Sequence, residues 1–178
     1  DRAYVLMAIA RRAHNEDLTN SEEVVHRKIL GSEDDIEYCY SDLKALIDRH
    51  DYTFRLYLTV NARSLESALF NFKRQLENMT QAMFNGHDDS IDKLSRLGSD
   101  WKSEVHNPTA KYSEYFLFDV DDVTQQEVDH FVEELDGLTD VVDVVRTSNG
   151  FHVISEPFNY NNFDPVVEYD ELDTDGMV

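Results

Sequence analysis

The chain contains 178 residues, of which 37 are Asp or Glu and 16 are Lys or Arg, so its formal net charge is −21. An apolar content of 41% is sufficient for the core of one domain, 1–178, but no run approaches the ~20 consecutive apolar residues that span a membrane. Cys39 is the single cysteine, which excludes an internal disulfide and is typical of a reducing cytoplasm. We therefore expect a cytoplasmic domain with no membrane partner.

The negative charge admits three interpretations. It is typical of proteins from a salt-rich cytoplasm, of ordinary acidic proteins with a locally basic site, and of proteins that imitate nucleic acid. A chain this acidic repels phosphate backbones on average. Several basic residues group near predicted strand ends, as Arg11, Arg12, Arg63 and Arg146 do, and this grouping favours a locally basic site over mimicry.

The first third of the chain predicts two strands and two helices. Residues 3–10 are a short apolar run, typical of a buried strand. Asn20 followed by Glu23 is a capping pattern and predicts a helix to about Leu30. A second helix has one apolar face, formed by Ile36, Cys39, Leu43, Leu46 and Ile47. Residues 53–60 predict the second strand.

A helical block follows at 64–108. Ser64 is the expected N-cap of a long helix with one apolar stripe, formed by Leu65, Leu69, Phe72, Leu76 and Met79. Gly86 ends this helix, 89–105 predicts one or two shorter helices, and the dipeptide at 107–108 breaks the chain. We expect this block to be a helical insertion on the sheet.

The stretch 116–158 has the order strand, helix, strand, strand. The third strand is predicted at 115–120, and the capping box of Thr124 and Glu127 begins a helix over 125–135. Two further strands, at 141–146 and 151–155, are joined by an Asn-Gly turn that is typical of a hairpin. We therefore expect an α+β fold: a mixed β-sheet with an RRM-like strand–helix–strand–strand core, on which helices pack.

Two aspartates at the end of the third strand predict a metal site. Asp119 and Asp121 are alternate residues of a strand, so their carboxylates share a face. Magnesium prefers one or two carboxylates together with phosphate oxygens and water. His152 follows a tight turn, whose backbone N–H groups at Ser148, Asn149 and Gly150 are candidates for binding a phosphate.

These motifs resemble the catalytic core of the archaeo-eukaryotic primase superfamily, and in particular the primase-type polymerase domains attached to bacterial end-joining ligases. The likeness rests on Phe118-Asp119-Val120-Asp121, the helix after it, Val144-Val145-Arg146-Thr147-Ser148 and Gly150-Phe151-His152-Val153-Ile154. It covers about 43 of the 178 residues.

The resemblance implies a nucleotidyltransferase that uses Mg²⁺ or Mn²⁺. Asp119, Asp121 and His152 would be its catalytic residues. The Ser148–His152 element would contact the triphosphate of a nucleotide, with Arg146 as a phosphate clamp or a surface charge. The family also uses a third carboxylate on a later strand. Its candidates here are Asp170, Asp173 and Asp175, of which we assign Asp175 as the third metal ligand.

Three functional hypotheses follow. The first is a primase-like enzyme that binds a nucleoside triphosphate and extends or starts a DNA or RNA strand, with a host replication protein as a possible further partner. The second is a non-catalytic acidic protein of viral or mobile-element origin, acting in the host cytoplasm, which binds a host protein or mimics nucleic acid. The third is a metal-dependent nuclease, because Asp pairs serve hydrolysis equally well.

Overall fold

A computed structural model describes residues 1–18, 23–86, 89–112 and 114–173. These residues form five α-helices and two antiparallel β-sheets, so the predicted α+β class is confirmed. The strands expected in one mixed sheet are distributed over two sheets. The chain divides into two compact units: one contains Asp1–Leu58 and Ala62–Tyr112, the other Thr59–Asn61 and Ser113–Val178.

The sheet of the first unit is built around its first strand. It contains β1 (Arg2–Ala10), β2 (Val24–Leu30), β3 (Arg55–Leu58) and β4 (Arg63–Ser64). Strands β2 and β3 flank β1, and the short β4 also pairs with the start of β1. The buried strand predicted at 3–10 is confirmed, since every residue after Leu6 in β1 is buried.

The helix predicted from Asn20 to Leu30 is wrong. Asn20 lies outside the described residues, and Val24–Leu30 is a strand that pairs along its whole length with β1, from Ala10↔Val24 to Tyr4↔Leu30. Val24, Val25 and Ile29 are β-branched and fit a pleated sheet well. Pairing with a buried neighbour therefore overrides a local capping pattern.

The described part of the first unit also contains α-helices. They are α1 (Ile36–Ile47), α2 (Leu65–Phe84), α3 (Asp89–Leu94) and α4 (Leu97–His106). The Ser64 hydroxyl caps α2 by accepting a hydrogen bond from the backbone N–H of Ser67 at 3.1 Å, as the sequence predicts. The expected run of helices at 64–108 is thus found.

The described part of the second unit contains one sheet and one α-helix. Its elements are β5 (Phe116–Asp121), α5 (Gln125–Asp136), β6 (Val141–Arg146), β7 (Gly150–Ser155) and β8 (Glu171–Asp173), and the strand order is β6-β7-β5-β8. The predicted strand–helix–strand–strand order and the hairpin of β6 and β7 are confirmed.

An aromatic core joins this sheet to α5 and to the segment before β8. The Phe118 ring contacts Phe131 of α5, with ring centres 5.5 Å apart, and Tyr169, at 5.2 Å. Phe163 packs against both Phe118 and Phe131. These ring contacts therefore fix where Tyr169, and with it Asp170, lies against β5.

The predicted capping box begins α5, because the side chains of Thr124 and Glu127 accept each other's backbone N–H.

Across the described residues, no helix is both long enough and apolar enough to cross a membrane.

Candidate functional site

The two faces of the second sheet have different compositions. Phe116, Phe118 and Val120 of β5 and Phe151 and Val153 of β7 form the core against α5. The residues between them in each strand point to the opposite face, because side chains alternate along a strand. That opposite face therefore carries the acidic and imidazole groups that the sequence singles out.

Asp119 and His152 are direct neighbours on this face. The antiparallel register of β5 and β7 places them opposite each other, and the His152 Nε2 lies 3.4 Å from the Asp119 Oδ1. Their side chains are 16% exposed for His152 and 35% exposed for Asp119. The structure thus brings together the imidazole and the first carboxylate of the predicted site.

Carboxylates crowd around Asp119. Burial raises the pKa of its carboxyl, and the negative charges of Asp121, Asp170 and Glu171 raise it further, while the neighbouring His152 opposes the shift. The pKa therefore lies above the ordinary value for an aspartate. Ionising Asp119 here costs free energy, and a bound cation would lower that cost.

Asp170 is the carboxylate that the fold brings to the backbone of β5. Its Oδ2 accepts the backbone N–H of Asp121 at 3.0 Å, and its own N–H donates to the Asp119 carbonyl at 2.8 Å. Asp175, assigned as third metal ligand, lies outside the described residues. Asp170 is one of three candidates for the third carboxylate in the sequence. The strand that follows it has only three residues, so the sequence shows no clear strand pattern there.

The turn before His152 satisfies its own backbone. The Thr147 Oγ1 accepts hydrogen bonds from the N–H of Asn149 at 3.3 Å and from that of Gly150 at 2.9 Å. Ser148 and Asn149 are exposed. A phosphate at the predicted nest would therefore have to displace the Thr147 hydroxyl from two of the donors.

Gly150 serves the packing of two strands. A Cβ at this position would lie 2.0 Å from the carbonyl oxygen of Val120 and 2.7 Å from the Cα of Asp121. The space that the sequence argument assigns to an approaching phosphate is therefore filled by the backbone of β5. This close approach aligns β7 with β5 and so sets the distance between His152 and Asp119.

Arg146 lies on the core-facing side of the sheet. It is opposite Phe151 in the register, and its guanidinium is centred 5.5 Å from the Phe151 ring centre. Because Phe151 and His152 are adjacent in a strand, their side chains point to opposite faces. The structure therefore does not bring Arg146 together with Asp119 and His152.

A groove of about 660 Å³ opens beside the end of β5. Its lining includes five carboxylates and one imidazole, from Asp121, Asp122, Glu127, Glu168, Asp170 and His130, and no Lys or Arg of the described chain. Asp119 and His152 are outside the lining. Asp121 and Asp170 therefore connect the groove to the carboxylate cluster.

The described ranges contain no large cluster of metal-ligating side chains. No group of three or more His, Cys, Asp and Glu side chains there is arranged to hold a metal ion. Magnesium is often held by one or two carboxylates, with substrate phosphates and water completing its shell. Asp119 and Asp121 could supply the two carboxylates of a magnesium ion that is held in this way.

No protein-family model, curated protein or solved structure matches this chain. The resemblance to primases therefore rests on the two motifs and their spacing.

Proposed function

We propose that this chain is a nucleotide-binding domain that depends on a divalent cation and carries out nucleotidyl transfer of the primase type. Asp119 and Asp121 are the metal ligands, and His152 is a phosphate ligand. The supporting observation is the 3.4 Å separation of His152 Nε2 and Asp119 Oδ1 on a face where carboxylates predominate.

The charge of this face supports a cation requirement. Three other carboxylates lie close enough to raise the pKa of Asp119, and Arg146 lies on the other face. A nucleoside triphosphate, which is itself highly negative, would be repelled by these carboxylates alone. A divalent cation between the carboxylates and the phosphates removes that repulsion and holds the reacting oxygens in line.

The side chains of this face have separate tasks in the proposal. Asp119 and Asp121 supply hard oxygen ligands from one edge of β5. His152 donates an N–H to a phosphate oxygen, and its neighbour Asp119 keeps the imidazole oriented. Asp170 holds the backbone of Asp121, so it is a positioning residue.

Calorimetry with ATP and Mn²⁺ tests the proposal. The parent chain should bind the nucleotide when Mn²⁺ is present and lose binding when EDTA replaces the metal. The double variant Asp119→Asn with Asp121→Asn keeps side-chain size and removes both charges. It should weaken binding at least a hundredfold, because both metal ligands are lost.

The control is a second double variant with the same change of charge. Asp34 and Asp48 are exposed residues of the other compact unit, and their replacement by Asn should leave nucleotide binding unchanged. Absence of binding by the parent chain, or binding that does not need a metal, contradicts the proposal.

Incubation with a labelled strand separates the possible reactions. With Mn²⁺ and nucleotides, strand extension supports nucleotidyl transfer onto DNA or RNA, whereas shortening of the strand supports the nuclease.

A host replication protein is the further partner that we propose. The cytoplasm is the compartment that we propose, because the single cysteine, Cys39, is buried and free.

A second candidate function is a non-catalytic acidic binding protein, and the groove is the observation that favours it. Five carboxylates line it without a Lys or Arg of the described chain, which suits a cationic segment of a partner protein. Oligolysine should then bind at low salt, and Glu127→Gln with Glu168→Gln should weaken it. If the parent binds oligolysine but not nucleotide with Mn²⁺, this function replaces the first.

A further inference from the structure

Two histidines of the first unit converge at a place that the proposed function does not use. His26 lies in β2, and His50 follows α1, where its backbone N–H donates to the Ile47 carbonyl at 3.0 Å. Their Nε2 atoms are 3.3 Å apart. These residues are 24 positions apart in sequence, so the pairing of β2 with β1 and the end of α1 bring them together.

We infer that His26 and His50 form a binding site for a tetrahedral divalent transition metal, of which Zn²⁺ is the best match. Imidazole nitrogen is a common ligand of this class of ion.

The distance between the nitrogens matches a tetrahedral ion. Two imidazole nitrogens that each bind Zn²⁺ at about 2.05 Å in tetrahedral geometry lie about 3.3 Å apart. The cis positions of a square-planar ion with similar bonds lie about 2.9 Å apart. The observed 3.3 Å agrees with the tetrahedral value.

The separation of the ring centres also matches a shared tetrahedral ion. Ring centres lie about 1.2 Å behind each nitrogen, so a shared tetrahedral ion places them about 5.3 Å apart. A collinear N–H···N bond of the same length would place them about 5.7 Å apart, whereas a bent bond places them closer together. The observed separation of the centres is 5.3 Å, so the ring positions suit a shared ion and exclude only a collinear hydrogen bond.

Aromatic neighbours hold the two imidazoles in place. Phe54 lies 5.8 Å from each ring centre, and Tyr52 stacks on His50 at 6.0 Å. Both ligands are therefore oriented before a metal arrives, which reduces the entropy lost on binding.

Neighbouring charges act on metal binding at this site in opposite directions. Burial lowers the pKa of His26, and the charges of His50, Lys102 and Lys28 lower it further, so the neutral imidazole that a metal needs is favoured. Lys28 forms an ion pair with Asp42, whereas Lys102 adds a repulsion for the metal. Two protein ligands with water at the remaining positions describe an exchangeable site.

Titration of the full chain with Zn²⁺ at pH 7.5 tests the inference. The titration is monitored by calorimetry and by the NMR signals of the imidazole rings. Zn²⁺ should perturb the His26 and His50 rings together at one equivalent. His50→Ala, and separately His26→Gln, should each lower the affinity of this site at least tenfold. His130→Ala, on α5 of the other unit, is the matched control and should leave it unchanged.

The NMR signals make the result independent of any second zinc site at Asp119. Circular dichroism identifies a variant that fails to fold, and His50 is exposed, so His50→Ala keeps the test available if His26→Gln unfolds. No perturbation of the two rings in the folded parent chain, perturbation of one ring alone, or an affinity unchanged in folded His50→Ala overturns the inference.

Discussion

At the scale of single residues, Asp119 is the group whose environment departs most from that of a solvated acid in the candidate site. Burial and three other carboxylates act on it, and one imidazole opposes them. Its neighbours in β5 are ordinary core residues, so the unusual environment is confined to one face. Groups of this kind are common where ligands bind, because a ligand supplies the missing partner.

We predict that Asp119→Asn stabilises the metal-free protein near neutral pH. The folded state raises the pKa of Asp119, so as pH rises the unfolded chain releases this proton first and stability falls. The Asn variant does not titrate at this position. Its melting temperature should therefore exceed that of the parent at pH 7.5, with a smaller difference at pH 3.5.

Asp34→Asn is the control for this comparison, because it removes one negative charge from an exposed position of the other unit. A gain of equal size and equal pH dependence in both variants would assign the effect to net charge. A loss of stability in Asp119→Asn at pH 7.5 would show that the contact with His152 outweighs the crowding.

At the scale of secondary-structure elements, the site depends on how closely β5 and β7 approach. Gly150 permits that approach beside Val120, and the register then places Asp119 opposite His152. The aromatic contacts of Tyr169 bring the chain back along β5, so that Asp170 meets Asp121. The geometry of the site is therefore set by strand pairing and core packing around it.

We predict that Gly150→Ala destabilises the protein by about 3 kcal/mol or more, because the new Cβ meets backbone atoms that cannot move without separating the strands. Gly98→Ala is the matched control. It lies in α4 with no atom within 4 Å of an added Cβ, and should stabilise by up to about 1 kcal/mol. Urea denaturation measures both changes. A loss below about 1 kcal/mol for Gly150→Ala would contradict the steric argument.

At the scale of the whole molecule, the net charge of −21 governs the response to salt. Like charges repel in the compact state more than in the extended unfolded chain. The carboxylates of the groove are one place where this repulsion concentrates. Charge of this size also lowers the chance of nucleic-acid contact without a cation between the two.

We predict that the melting temperature rises between about 10 mM and 500 mM NaCl, because the screening length falls from about 30 Å to about 4 Å over that range. A parallel KCl series controls for effects specific to one cation. A flat or falling melting temperature would contradict the prediction. A rise that continues at molar KCl would favour the salt-rich cytoplasm among the three interpretations of the charge.

The sequence alone determined what depends on neighbours in the chain. The capping residues Ser64 and Thr124, the helices that they begin and the hairpin of β6 and β7 were all predicted, as was the shared face of Asp119 and Asp121. Local hydrogen bonds and side-chain alternation depend on spacings of a few residues, which a sequence displays directly.

The tertiary structure decided what depends on distant pairing. It made Val24–Leu30 a strand, put Arg146 on the face opposite His152, and brought Asp170 to Asp121. It also joined His26 to His50. Each outcome follows from which strands pair and in which register, and a shift of one residue would exchange the two faces. Those choices minimise the free energy of the packed core, so local sequence pattern does not reveal them.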